Sequence, residues 1–204
     1  MAASVVPSPH TLGSWLVETR SRREQILDTA AVLFARRGFH GVSVSDIGAA
    51  CGVSGPALYK HFPSKDSVLA EMLVSISERL LADGGRRAAE ATDPVGALRA
   101  LIDFHVDFAL AHPALIVVQD RDWSSLPDDA REIVRTLQRS YVDLWAAQCR
   151  EADPSLGPAQ ARARAHAVFG LINSTPHSAV LPPAEMAALL RGMADGALGL
   201  APGA

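Results

Sequence analysis

Between Arg22 and Leu69 several short helical signals follow one another in close succession, and this spacing limits the possible fold more than any other feature of the chain. From Arg22 to Arg37, Ile26, Leu27, Ala30, Leu33 and Phe34 recur at intervals of three and four, as on one face of an amphipathic helix, and Gly38 stops the pattern. Ser43-Val44-Ser45-Asp46 then reads as a capping box, a hydroxyl with a carboxylate three residues on, opening a short helix to about Ala50. Cys51-Gly52-Val53 supplies a tight turn. Ser54 can cap a third helix through about His61, with Pro56 in its first turn, where a missing N–H is harmless. Pro63-Ser64-Lys65-Asp66 breaks that helix and starts a fourth. Two short helices crossing at a glycine turn, locked on the first helix by Ile47, Val53 and Leu58, form a helix-turn-helix whose outer face can enter a major groove.

The rest of the chain is consistent with an all-α protein. Only 5% of its 204 residues are aromatic, and β-branched runs are almost confined to Val5-Val6 and Ile116-Val117-Val118. Residues 20–65 hold seven basic side chains against three acids, while residues 66–204 hold 12 against 18. A basic head on an acidic body is the distribution expected when one end meets polyphosphate and the remainder must not. The expected organisation is a loose arm over 1–19, a three-helix helix-turn-helix domain over 20–66, and a helical ligand-binding and dimerisation domain over 67–204. Cys51 and Cys149 stand far apart with no metal-ligand spacing, which fits a reducing cytoplasm. The first 19 residues lack the features of a signal peptide, and no run approaches the roughly 20 apolar residues of a membrane span.

Within the body, Val68, Leu69, Met72, Leu73, Ile76 and Leu80 share one face of the fourth helix, which is expected to end near Asp83-Gly84-Gly85. Further helices are expected at about 94–111, 114–122, 128–151, 158–175 and 184–199, separated by proline or glycine.

The run from Val53 to Asp66, Val-Ser-Gly-Pro-Ala-Leu-Tyr-Lys-His-Phe-Pro-Ser-Lys-Asp, resembles the reader of the TetR family of transcriptional regulators. The match covers roughly residues 21–69, with Ile26, Ala30, Phe34, Gly38, Ser43, Ile47, Gly52, Val53, Leu58, Tyr59, His61, Phe62 and Lys65 at the family's motif positions. The resemblance implies double-stranded operator DNA as partner, with Tyr59, His61 and Lys65 on phosphates and Ser43 close to the backbone. Capping alone also explains Ser43, and half-buried packing is the alternative for Tyr59 and His61. The positions facing base edges are Ser45, Gly55, Pro56, Ala57 and Lys60. Only Ser45 and Lys60 among them carry polar side chains, so direct base reading is thin. Arg20, Arg22 and Arg23 are open to a second DNA contact or to a solvated helix start.

The resemblance further implies a homodimer released from DNA by a small molecule, acting as a repressor. Candidate cavity residues are Phe104, His105, Phe108, His112, Trp123, Tyr141, Trp145 and Phe169, each equally at home in an ordinary core. Asp120-Arg121-Asp122-Trp123 is either a solvated helix end or an arm that turns Arg121 toward an anionic effector. Asn173 and His177 belong to a second polar segment. A further likeness to TetR-type regulators of lipid and acyl-CoA metabolism implies an apolar or acyl-type effector, an acyl-CoA or another lipid-like anion. Leu171, Met186, Leu189, Leu190, Met193 and Leu198, among many alanines and glycines, are candidates for the dimer face. No GxSxG, HExxH, Walker or dinucleotide motif is present, so no catalytic, metal or cofactor site is assigned. A metal-responsive regulator, a helical enzyme and a helical adaptor remain as alternatives.

Overall fold

The computed structural model describes residues 21–200, in which ten α-helices and one 3-10 turn account for the regular structure and no strand occurs. The expected arm over 1–19, and Arg20, lie outside the described residues. The helices are α1 (Arg22–Arg37), α2 (Val44–Cys51), α3 (Gly55–His61), α4 (Lys65–Ala89), α5 (Pro94–Ala111), α6 (Pro113–Arg121), α7 (Asp128–Ala152), α8 (Pro158–Ile172), α9 (Thr175–Ser178) and α10 (Pro183–Leu198), with the 3-10 turn at Trp123–Ser125.

Local chemistry sets the boundaries of the reader. Ser21 and Glu24 form a reciprocal capping box on α1, Ser43 and Asp46 form the expected one on α2, and the Ser54 hydroxyl accepts from Ala57 N on α3. The two Ser43 hydrogen bonds also hold the Asp46 carboxyl below its ordinary range, so the cap is charged at neutral pH. Gly52 turns the chain between α2 and α3 in the left-handed region, at φ 66° and ψ 34°, where any side chain would be strained.

Two apolar cores form, and three helices run through both. Ile26, Ala30, Phe34, Ile47, Leu58, Phe62, Leu69 and Leu73 fill the reader's core, but Val118 of α6, Leu126, and Ala130 and Val134 of α7 belong to it as well. The body's core gathers Ile76 of α4, Leu98, Leu101, Ile102 and Phe108 of α5, Ile116 of α6, Tyr141 and Trp145 of α7, and the inner faces of α8 and α10. Reader and body are thus joined by shared packing through α4, α6 and α7 rather than by a linker.

The structure corrects three of the sequence expectations. α4 does not stop near Asp83 but runs to Ala89. Gly84 is buried where α4 crosses α7, and a Cβ there would lie 2.7 Å from Tyr141 Cε2, so the glycine serves close packing and not termination. The helix expected over 158–175 ends at Ile172, and Thr175–Ser178 forms a separate turn of helix. Of the residues expected on the dimer face, Met186, Leu190 and Leu198 are buried within the subunit's own core, whereas Leu189 and Met193 are 46% and 49% exposed.

Candidate DNA reader and effector cavity

The reader presents one outward face. Leu58 and Phe62 are fully buried in the reader's core, which fixes the rotation of α3 and leaves Pro56, Tyr59 and Lys60 exposed, with Tyr59 54% accessible. Ser43 and Ser45 are exposed at the start of α2, while Ala57 and His61 are half-buried. Gly55 opens α3 as its first residue. Lys65 stands apart from this set: its Nζ donates to Phe39 O at 2.8 Å and lies 4.2 Å from the centre of the Phe39 ring, tying the α1–α2 connection to the start of α4. The arginines of the first turn are engaged within the domain. Arg22 donates to Cys51 O at 2.6 Å and Arg23 to His61 O at 2.6 Å, each satisfying a carbonyl at the end of a reader helix where positive charge is favoured. Arg23 also pairs with Glu71 and covers the Phe62 ring at 4.3 Å.

In the body, α4, α5, α6, α7 and α8 line a cavity of about 360 Å³ that opens to solvent on one side. Leu80, Phe108, Leu115, Ile116, Val142 and Phe169 give it apolar walls, and Arg135, Arg139, Arg162 and His166 contribute basic side chains. Arg135 pairs with Glu132 at 2.6 Å and Arg162 with Asp143, whereas Arg139 makes no ion pair among the described residues. His105 is the polar centre. Its Nε2 lies 3.1 Å from Asn173 Oδ1 and its Nδ1 lies 3.5 Å from the Tyr141 hydroxyl, with Phe169 stacked on Tyr141. Burial pulls the imidazole down to about 4, the bond to Asn173 opposing this only in part, so His105 is neutral at pH 7. Burial also pushes the Tyr141 phenol upward. The cavity therefore offers neutral polar groups inside and cationic ones among its lining residues.

The sequence profile of the bacterial regulatory proteins of the tetR family matches residues 26–72, and that of the tetracyclin repressor-like C-terminal domain matches residues 91–177. The transcriptional repressor KstR2 of Mycolicibacterium smegmatis is 30% identical over 145 residues, 68% of this chain and 69% of that protein. The chain belongs to the TetR family. KstR2 of Rhodococcus jostii is 30% identical over 125 residues, and the match spans 61% of that protein's length. A TetR-family regulator from Bordetella parapertussis shares the fold with a TM-score of 0.75 at 26% identity, covering 89% of this chain and 98% of that one. AibR, crystallised in complex with isovaleryl coenzyme A and operator DNA, shares it with a TM-score of 0.70 at 22% identity, covering 85% and 97%. The profile matched by the reader is thus that of bacterial regulatory proteins.

In this TetR-family body the expected effector residues separate into two groups. His105, Phe108, Tyr141, Phe169 and Asn173 line the cavity together. Phe104 does not, being buried in α5 beneath the Arg87 guanidinium at 5.0 Å. Trp145 is fully buried behind the cavity wall, its ring edge-on to Tyr141 and Phe169. Trp123 packs toward the reader's core, and His177 is exposed on α9. Arg121 is turned away from any effector: it donates to Phe34 O and, at 3.0 Å, to Ala35 O at the end of α1, and it pairs with the buried Asp122. Asp122 accepts in turn from Phe39 N at 3.3 Å. The polar cluster that stood out in the sequence is thus a clasp between body and reader.

Sequence reasoning missed Gln138, Arg139 and Arg162, which also line the cavity. Gln138 had a usable signal, since it lies four residues from Val134 and three from Tyr141, on the face that α7 buries. Among the described residues no group of three or more His, Cys, Asp or Glu is arranged to hold a metal, and no single helix is long and apolar enough to cross a membrane.

Proposed function

We propose that this regulator is a dimeric repressor that leaves palindromic operator DNA when an acyl-CoA, or a similar lipid-like anion, occupies the body cavity. The carrying observation is the cavity itself: apolar walls suited to a short acyl chain, a volume within the roughly 300–1,000 Å³ of small-molecule sites, and arginines suited to phosphate among its lining. AibR supports the ligand class from outside, though not the release step, since that protein holds isovaleryl coenzyme A and operator DNA in one complex. On the DNA side, exposed Tyr59 and Lys60 with half-buried His61 grip phosphates and base edges. Lys65 steadies the loop behind them.

α6 couples the two ends. Its Leu115, Ile116, Gln119 and Asp120 line the cavity, its Val118 is buried in the reader's core, and its C-terminal Arg121 clasps α1. An effector that wedges against Leu115 and Ile116 favours a different seating of α6 and hence of the reader, and shifts the population away from the arrangement in which two readers sit about 34–36 Å apart. The second subunit docks on α8 and α10, where Leu189 and Met193 are exposed beside the small outward residues Ala163, Ala167 and Gly170.

Isothermal titration with octanoyl-CoA and with coenzyme A alone tests the effector class. Octanoyl-CoA is expected to bind at least tenfold more tightly than coenzyme A, and Arg139→Glu to weaken it by a further tenfold. Equal affinities, or no binding of either, would remove the acyl-CoA reading.

A further inference from the structure

Gln138 is the residue of the cavity whose chemistry is unanswered within the protein. Its side chain lies on the face that α7 turns inward, yet an amide gains nothing from an apolar environment unless its N–H groups find acceptors. Its Nε2 is buried, and among the described residues no acceptor lies within hydrogen-bonding distance. Among the residues lining this cavity, Gln138 is the one with a buried side-chain nitrogen in that condition.

The other inner polar groups are engaged with one another. Neutral His105 donates from Nε2 to Asn173 Oδ1 at 3.1 Å, and its Nδ1 is then the acceptor that faces the Tyr141 hydroxyl at 3.5 Å. An incoming ligand would have to break that trio to use it. Gln138 needs no such exchange, because its Nε2 is already desolvated and has no acceptor to give up among the described residues.

We propose that Gln138 Nε2 reads an acceptor oxygen carried within an otherwise apolar ligand, so that the effector is a carbonyl compound, such as a thioester, ester or ketone, and not a hydrocarbon or thioether. The inference rests on the cavity being the effector site and adds the feature by which that site selects. A site built to hydrogen-bond one oxygen discriminates strongly against an analogue lacking it, because the donor is left buried and unpaired.

The experiment compares octanoyl-CoA with S-octyl-CoA, the thioether that lacks only the carbonyl oxygen, by isothermal titration against the wild-type chain, Gln138→Met and Gln138→Leu. The wild type is expected to prefer the thioester about tenfold, equivalent to about 1.4 kcal/mol. Both variants are expected to bind the two compounds alike, and the unliganded variants to melt at or above the wild-type temperature, because an unpaired donor has been removed. Equal affinities in the wild type, a preference kept in both variants, or a melting temperature lowered by several degrees in both would overturn the assignment. If neither coenzyme A compound binds, the acyl-CoA reading fails separately. The carbonyl assignment is then decided by the variants' melting temperatures and by thermal shifts with 2-octanone against octane, equal shifts overturning it.

Discussion

Gly84 and Gly85 make a matched pair for testing how the long helix α4 shapes the cavity. Both are helical, neither has a positive φ, and alanine at either position gains about 1 kcal/mol of intrinsic helix preference. They differ in what a new methyl group meets. At Gly85 nothing lies within 4 Å, whereas at Gly84 a Cβ would stand 2.7 Å from Tyr141 Cε2 and 3.3 Å from Leu101 Cδ2. Carbon atoms in good contact sit about 3.5–4.0 Å apart, so Tyr141 must move by most of an ångström, and overpacking of this kind costs about 1–3 kcal/mol. Gly85→Ala is therefore expected to stabilise by about 1 kcal/mol, while Gly84→Ala falls about 1–3 kcal/mol below it, the propensity gain cancelling in the difference. Urea unfolding followed by helical circular dichroism, at one fixed protein concentration, measures both midpoints. Because Tyr141 also lines the cavity, Gly84→Ala is expected to change octanoyl-CoA affinity and Gly85→Ala to leave it unchanged. Coincident midpoints for the two variants would refute the argument that Gly84 is held for close packing.

Three further outcomes follow from the geometry. His105 titrates near 6.5 when unfolded and about 4 when buried, so its contribution is complete above pH 6.5 and is lost as the pH falls toward 4. It amounts to about 3 kcal/mol over that window, and urea midpoints against pH should fall less steeply in His105→Gln; parallel curves would contradict it. Asp122→Ala strips the buried Phe39 N–H of its acceptor and removes the carboxylate partner of Arg121, which is expected to destabilise by about 1–3 kcal/mol and to weaken the effect of ligand on DNA affinity, full retention of both being the contrary result. Tyr59→Phe is expected to weaken binding to all DNA sequences alike, while Lys60→Ala alters sequence preference, as gel-shift titrations on matched and mismatched sites would show.

Signals confined to a few neighbouring residues were legible in the sequence. The capping box at Ser43 and Asp46, the Gly52 turn and the apolar face of α1 each need only local chemistry, and each stands where the sequence puts it. Signals that depend on what a distant helix does were misread. Gly84-Gly85 looks like a helix end because glycine lowers propensity, but Tyr141, far along the chain, needs the space. Arg121 looks like an arm for an anion because its partners, the carbonyls of Phe34 and Ala35, are more than 80 residues away. Lys65 likewise stands at its motif position, with its ammonium held by Phe39 O. Five of the eleven expected effector residues line the cavity, and three of them, His105, Phe108 and Tyr141, stand on inward faces of α5 and α7 that periodicity could trace. Trp145 and Phe104 are equally aromatic but lie one layer too deep, while Arg121, Trp123 and His177 are turned elsewhere by contacts the sequence does not show.

The central claim is that filling the body cavity loosens the reader from DNA. The most direct measurement is fluorescence anisotropy of the full chain on a labelled duplex selected from a random library, titrated with and without saturating octanoyl-CoA, at fixed salt. The expected result is tight, sequence-selective binding that weakens at least tenfold with octanoyl-CoA and is unchanged by coenzyme A alone. Selective DNA binding that is indifferent to every cavity ligand would contradict it.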